Sequence, residues 1–113
     1  MLLRQEGHRV TGSDVSFDPP IGPVLTAAGI QCLTGYDARH LEPRPDLTVV
    51  GNAIRRDNPE AQAAEALGLR RLSMSATLRQ QFLQGRKALV VAGTHGKTTT
   101  SAMAAHMLTA AEL

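Results

Sequence analysis

The chain has 113 residues, enough for one ordinary domain or for one small domain plus a fragment of another. Hydrophobic residues make up 42% and charged residues 19%, which is typical of a globular chain rather than a disordered one. The net charge of +2 is too small to favour nucleic acid or a membrane surface as a partner. The single cysteine, Cys32, excludes an internal disulfide framework and fits a reducing compartment. With no signal peptide or apolar span in the sequence, the predicted location is the cytoplasm.

Short strands alternate with helices along the chain, and Gly, Pro or a capping residue marks most of the changes. The predicted elements are a helix end at 1–5, a strand within 8–14, a helix at 21–28, a strand at 30–33, a helical turn at 38–41, a strand at 47–50, a helix at 59–67 capped by Asn58, a strand at 69–72, a helix capped by Ser75 that runs through Leu83, a strand at 88–92 and a helix from Lys97 to Ala111. This alternation predicts an α/β fold in which crossover helices connect parallel strands.

The order of the elements predicts a domain boundary near Gly85. Residues 1–85 would form a Rossmann-like parallel sheet with flanking helices, whose first strand is missing. Residues 86–113 would supply the opening strand, phosphate loop and helix of a second α/β domain, since a phosphate-binding sheet normally has several more strands.

The strongest motif is Gly93-Thr94-His95-Gly96-Lys97-Thr98-Thr99, which lies between an apolar run and a helix. In such a loop the first N–H groups of the helix point at phosphate oxygens. Lys97 can reach the outer phosphates, and the Thr98 hydroxyl can bind Mg²⁺. The strict pattern has glycine where this chain has Val91, so the loop is a shorter variant that begins at Gly93. The alternative interpretation is a surface turn that contains Gly-Lys-Thr by coincidence.

Two other strand ends carry candidate ligand contacts, because ligands of doubly wound sheets bind at the carboxyl ends of the strands. Asp14 is placed to accept a ribose hydroxyl, with a role in its own turn as the equal alternative. The turn Gly51-Asn52-Ala53-Ile54 follows another strand. The pairs Arg55-Arg56 and Arg70-Arg71 are interpreted as solvated surface, with contact to an anionic ligand as the alternative. The four histidines have no partners at metal-ligand spacing, which argues against zinc.

The segment from Gly93 to Thr100 resembles the ATP loop of the Mur ligases, the ATP-dependent amide-forming enzymes of peptidoglycan assembly. His95 favours the branch that accepts UDP-N-acetylmuramate itself. Within that branch, further segments resemble the muropeptide-recycling enzymes, and the nearest rival is the branch that adds L-alanine. These segments are Thr11-Gly12-Ser13-Asp14, Pro19-Pro20, Gly35-Tyr36-Asp37, Leu41-Glu42-Pro43, Pro45-Asp46-Leu47, Gly51-Asn52-Ala53-Ile54 and Asn58-Pro59-Glu60.

The resemblance implies a three-domain enzyme that uses ATP and Mg²⁺ to join UDP-N-acetylmuramate to the tripeptide L-Ala-γ-D-Glu-meso-diaminopimelate through an acyl phosphate. By matching position, Gly93 to Thr99 would hold the ATP phosphates, Lys97 would neutralise their charge, and Thr98 would bind magnesium. His95 would act near the acyl phosphate.

The resemblance also implies a UDP-sugar site lined by Ser13, Asp14 and the Asn52-Ala53-Ile54 turn. The chain lacks the opening strand and glycine-rich turn of the family and its acceptor domain, so we expect no ligase activity from it alone. A non-catalytic nucleotide-binding remnant is the second class of function. An unrelated P-loop NTPase is disfavoured by the long β-α region before the loop, and a dinucleotide oxidoreductase by the lack of Gly-x-Gly-x-x-Gly.

Overall fold

The computed structural model describes residues 1–113 and contains five α-helices, one 3₁₀ turn and four short strands. The helices are α1 (Leu2–Gln5), α2 (Ile21–Ala27), α3 (Pro59–Ala66), α4 (Met74–Gln81) and α5 (Lys97–Ala110), and the 3₁₀ turn is Ala38–Leu41. The strands are β1 (Thr11–Asp14), β2 (Gln31–Thr34), β3 (Thr48–Val50) and β4 (Arg71–Ser73). No helix has both the length and the apolar character required to cross a membrane.

All strand pairing is parallel, which confirms the predicted α/β class. In the first pair Thr11 of β1 lies opposite Gln31 of β2, and Asp14 lies opposite Thr34. In the second pair Thr48 of β3 lies opposite Arg71 of β4. No backbone hydrogen-bond ladder joins one pair to the other, so the strands form two separate two-stranded sheets and not one continuous sheet. Since parallel strands begin and end together, the turns that follow β1 and β2 lie at one edge.

The cap predicted for α3 is confirmed. The Asn58 side-chain oxygen accepts the backbone N–H groups of Glu60 and Ala61, both at 3.0 Å, and Pro59 occupies the first helical position.

The cap predicted for α4 is wrong. This helix begins at Met74, directly after β4, and the Ser73 hydroxyl accepts the Ala76 N–H at 3.2 Å. The helix starts two residues earlier than Ser75 would allow, so the last residue of the strand takes the capping position.

The chain divides into two compact units, residues 1–78 and residues 79–113. The hydrophobic core is small: Ile30, Leu41 and Ala64 are the buried apolar residues, and all three belong to the first unit. The chain exposes 8958 Å². A compact monomer of this mass exposes only about 6,000 Å². Several large apolar side chains, Val90 and Leu113 among them, are left in water.

The second unit contains α5, which confirms the last predicted helix within one residue. The strand predicted over residues 88–92 is not formed, and Leu89 and Val90 are 69% and 81% exposed. The reason is that a strand requires a neighbour for its N–H and C=O groups, and no strand of the chain pairs with this segment. An apolar, β-branched run alone does not satisfy that requirement.

Gly22 in α2 provides a test of the packing of the first unit. A Cβ atom at this position would overlap the Phe17 carbonyl oxygen. We expect Gly22→Ala to destabilise the chain by about 1–3 kcal/mol, because the backbone must move to relieve this overlap. Urea unfolding followed by circular dichroism measures the change.

Gly12→Ala is the matched control, since a Cβ atom there meets no heavy atom within 4 Å. It should be neutral or slightly stabilising, because alanine restricts the unfolded chain. Equal stability of Gly22→Ala and the wild type would contradict the close approach of Gly22 to Phe17.

Candidate functional site

A polar cluster lies where β1 and β2 end. Asp14 is the last residue of β1, and its carbonyl oxygen accepts the Gly35 N–H at 2.8 Å. Its carboxylate oxygen Oδ1 accepts the Val15 N–H at 2.7 Å and the Tyr36 hydroxyl at 3.3 Å. The residue therefore stabilises its own turn, as one interpretation predicted, and remains exposed at the edge where the other placed a ligand. Both interpretations are compatible with this geometry.

The environment of Tyr36 is set by burial and by this carboxylate. Desolvation raises the pKa of Tyr36 above its ordinary value, and the Asp14 charge and hydrogen bond raise it further. Both effects disfavour the phenolate, the first by removing water and the second by repulsion between like charges. The Tyr36 hydroxyl is the donor in its bond to Asp14, because an ionised carboxylate can only accept.

Ser13 belongs to a second part of the cluster. Its hydroxyl donates to Glu60 Oε1 at 2.7 Å, and His40 Nδ1 lies 3.2 Å from Glu60 Oε2. The Glu60 and His40 side chains are 16% and 18% exposed. One carboxylate in the first turn of α3 thus contacts β1 and the 3₁₀ turn, and the positive end of the helix dipole favours its charge there.

The 3₁₀ turn that carries His40 is fixed by its own cap. The Asp37 carboxylate accepts the Arg39 backbone N–H at 2.8 Å and the Arg39 guanidinium at 2.7 Å. These bonds, the side-chain bond first, hold the pKa of Asp37 well below its usual range. Both groups are exposed, so the pair serves mainly to define the turn and contributes little to stability.

The predicted Asn52-Ala53-Ile54 contacts follow β3, which belongs to the other strand pair. They form a turn closed by a hydrogen bond from the Ile54 N–H to the Gly51 carbonyl at 3.1 Å. Asn52 and Ala53 are exposed and Ile54 is half-buried. The structure therefore places the predicted UDP-sugar contacts on two different sheets, and brings Ser13, not the Asn52 turn, into contact with Glu60.

Ile54 borders a surface depression of about 460 Å³ whose rim includes three arginines, Arg55, Arg56 and Arg71. Arg55 lies 3.4 Å from the Asp57 carboxylate, and Arg71 lies 3.3 Å from that of Glu65. Both pairs are largely exposed. The exposure of Arg55, Arg56, Arg70 and Arg71 agrees with the interpretation of both arginine pairs as solvated surface.

The phosphate-loop motif is closed by its own lysine. Lys97 Nζ donates to the Gly93 carbonyl at 2.9 Å and to the Thr94 carbonyl at 3.4 Å. Gly96 precedes α5 with φ of +75°, a conformation that a residue with a side chain rarely adopts. The first bond into the helix runs from the Thr100 N–H to the Gly96 carbonyl at 2.9 Å.

The N–H groups of Lys97, Thr98 and Thr99 consequently have no carbonyl partner within the helix and lie at its positive end. The side chains of His95 and Thr98 are exposed. This arrangement can bind an anion through the backbone, with the Lys97 ammonium as a mobile charge.

Three residues of the cluster, Tyr36, His40 and Glu60, were not predicted from their chemistry. Tyr36 could have been found from the sequence, because parallel strands place the residues after each strand end side by side. Glu60 and His40 could not, since 47 residues separate Glu60 from Ser13 and 20 separate it from His40.

Tyr36 is the only tyrosine and the chain has no tryptophan, so its ionisation can be followed by near-ultraviolet absorbance. We expect Asp14→Asn to lower the pKa of Tyr36 towards its ordinary value, because the carboxylate charge that opposes the phenolate is removed. Part of the upward shift should remain, since burial is its largest cause. Asp18→Asn is the control, and an unchanged Tyr36 titration in Asp14→Asn would contradict the contact.

Comparison with known proteins gives a consistent result. Residues 1–86 match the sequence profile described as Mur ligase family, catalytic domain. The UDP-N-acetylmuramate–L-alanyl-γ-D-glutamyl-meso-2,6-diaminoheptandioate ligase of Escherichia coli K12 is 47% identical over 96% of this chain and 24% of its own length. The UDP-N-acetylmuramate–L-alanine ligase of Symbiobacterium thermophilum is 46% identical over 100% of this chain and 23% of its own.

A solved structure has the same fold. The murein peptide ligase of Psychrobacter arcticus 273-4 superimposes with a TM-score of 0.89 at 46% identity, covering 98% of this chain and 23% of that protein. The chain thus spans about a quarter of the length of the relatives that it matches.

Proposed function

Because the chain belongs to the Mur ligase family, we propose that it is part of an ATP-dependent ligase that joins UDP-N-acetylmuramate to L-alanyl-γ-D-glutamyl-meso-diaminopimelate. The observation that carries this proposal is the 47% identity to the Escherichia coli tripeptide ligase over 96% of the chain. In this function the protein recycles peptidoglycan fragments in the cytoplasm of a bacterium. Its substrates are small molecules, and neither nucleic acid nor a membrane takes part.

In the proposed reaction, the sugar carboxylate attacks the γ-phosphorus of ATP, which releases ADP and gives an acyl phosphate. The amine of the tripeptide then attacks the acyl carbon, loses a proton and expels inorganic phosphate. The main demand on the protein is to neutralise and orient the phosphates during the first step. The free N–H groups at the start of α5 and the Lys97 ammonium meet this demand in the loop from Gly93 to Thr99.

Lys97 would exchange its loop carbonyl partners for phosphate oxygens when ATP binds. Hydrogen bonds to an ionised acceptor are stronger than those to a neutral carbonyl, so the exchange is favourable. We assign His95 as a second catalytic residue because its exposed side chain projects from the same loop, between Gly93 and Gly96.

The fit of Mg²⁺ rests on one donor, the exposed hydroxyl of Thr98 in the first turn of α5. Magnesium prefers oxygen ligands and keeps several waters and phosphate oxygens, so a single hydroxyl is a suitable protein contribution. The chain contains no group of three or more His, Cys, Asp or Glu residues that could hold a metal without the nucleotide. When bound, the ion would neutralise charge on the phosphates.

For the sugar nucleotide we propose Ser13, Asp14 and the Asn52-Ala53-Ile54 turn as contacts. The first two lie in the polar cluster at the end of β1, where a ribose or sugar hydroxyl could donate to Asp14. The turn borders the arginine-lined depression.

The second candidate is ligation of UDP-N-acetylmuramate to L-alanine, which the 46% identity to the Symbiobacterium ligase supports. Both candidates share the sugar nucleotide and ATP, and they differ only in the acceptor. A non-catalytic nucleotide-binding protein remains the alternative from a different class, and formation of the ligation product would exclude it.

The first experiment measures binding of ATP with Mg²⁺ to this chain by titration calorimetry. We expect saturable binding that Lys97→Ala abolishes, because this change removes the loop cation and the bonds that close the loop. Lys87→Ala is the control, since it removes the same charge from the only other lysine, outside the loop. Equal ATP affinity of the wild type and Lys97→Ala would contradict the phosphate-loop assignment.

The second experiment tests the chain for ligation itself. With ATP, Mg²⁺, UDP-N-acetylmuramate and tripeptide, we expect no product, because the chain offers a single magnesium ligand and spans a quarter of its relatives' length. Chromatography measures the product, and the Escherichia coli relative, assayed in the same way, is the positive control. Formation of the UDP-linked tripeptide by the 113-residue chain would overturn this expectation.

A further inference from the structure

The contact between Ser13 and Glu60 determines more than the packing of α3. The Ser13 hydroxyl lies 2.7 Å from Glu60 Oε1, a length typical of a bond from a hydroxyl to a carboxylate. Glu60 uses its other oxygen for His40 Nδ1 at 3.2 Å, and its side chain is only 16% exposed. Both ends of the carboxylate are thus engaged, and little room is left for it to turn away from Ser13.

The direction of this hydrogen bond follows from the donors available. A carboxylate has no proton to give, so the proton in the bond must be that of the Ser13 hydroxyl. A serine that donates its only proton to a protein partner keeps two lone pairs and has no proton for a ligand. Ser13 can therefore only accept hydrogen bonds from whatever binds at the end of β1.

The neighbouring groups have the same polarity. Asp14, next in the chain, presents a second carboxylate at the same strand end, and the Tyr36 hydroxyl already donates its proton to it. An edge that offers acceptors and negative charge repels phosphate oxygens and attracts O–H and N–H groups.

We propose that Glu60 is a positioning residue of the sugar-nucleotide site: it holds the Ser13 hydroxyl as a hydrogen-bond acceptor, so that this strand end binds the O–H and N–H donors of the sugar nucleotide and not its diphosphate. The inference rests on the proposed function, because it takes UDP-N-acetylmuramate as the ligand. It assigns to Glu60 a role that acts through Ser13 and involves no contact with the ligand.

A residue that only fastens α3 to β1 would affect binding independently of the Ser13 hydroxyl, and a double-mutant cycle distinguishes the two roles. Calorimetry would measure the affinity for UDP-N-acetylmuramate of the wild-type chain, Ser13→Ala, Glu60→Gln and the double variant. A glutamine amide can donate to Ser13 and so allow its hydroxyl to reverse. We expect each single variant to bind roughly tenfold more weakly, the value of one lost hydrogen bond.

The affinity of the double variant for UDP-N-acetylmuramate is the decisive measurement. We expect the double variant to bind no more weakly than Ser13→Ala, since Glu60 has nothing to orient once the hydroxyl is gone. Glu6→Gln makes the same charge change at an exposed position outside the proposed site and should bind like the wild type.

Two outcomes would overturn the proposal, and they can be told apart. If the losses of the two single variants multiply in the double variant, Glu60 does not act through Ser13, while the proposed sugar-nucleotide site stands. If the wild-type chain does not bind UDP-N-acetylmuramate, the proposed site fails and the role of Glu60 fails with it.

Circular dichroism establishes that each variant is folded before binding is measured. Should Glu60→Gln not fold, Glu60→Asp replaces it in the same cycle. It keeps the charge but shortens the side chain by one methylene, which withdraws the carboxylate from Ser13, so the same non-additive loss is expected.

Discussion

The structure of the first unit is constrained by one fact: no backbone hydrogen-bond ladder joins its two strand pairs. Each strand pairs on one side only, so β1–β2 and β3–β4 cannot position one another through the backbone. The buried apolar residues Ile30, Leu41 and Ala64 are too few to define the arrangement by packing alone. Side-chain bonds between elements consequently carry more of the structural definition than they do in a domain with a large core.

Glu60 provides the clearest of these bonds. Its carboxylate joins β1 to α3 and α3 to the 3₁₀ turn. A charge that is four-fifths shielded from water is costly unless its lone pairs are satisfied, and here both oxygens have partners. Removing one partner would leave the charge under-satisfied, so the cost of losing Ser13 or His40 exceeds the net value of either bond. The hydrogen bond from Ser13 to Glu60 that stabilises the cluster also leaves the Ser13 hydroxyl able only to accept further hydrogen bonds. One contact thus serves both the fold of this unit and the proposed recognition of its ligand.

The sequence was informative where structure is decided locally. The Asn58 cap, the helix after Gly96 and the parallel α/β class follow from residues that lie within a few positions of one another, or from the alternation of short elements. Two features that the sequence did not predict correctly depend on long-range partners. A strand at 88–92 needs a neighbour that its own residues cannot supply, and the contact of Glu60 with Ser13 spans 47 residues. The cap of α4 failed for a different reason: Ser73 and Ser75 are chemically equivalent, and the end of β4 decides between them.

The distinction between local and long-range partners also explains why the phosphate-loop motif is formed. The bonds from Lys97 to the carbonyls of Gly93 and Thr94, and the left-handed conformation of Gly96, involve only neighbouring residues, so the loop is closed although no strand precedes it. A formed strand would restrict the path of the chain into Gly93, whereas here the restriction comes from the ammonium group at the other end of the loop. If the loop binds ATP as proposed, a phosphate would compete for that ammonium and loosen the closure, and the three free N–H groups of α5 would gain a partner. In the proposed function, anion binding and loop geometry would therefore be coupled through Lys97, because the ammonium that would bind the phosphate also holds the loop closed.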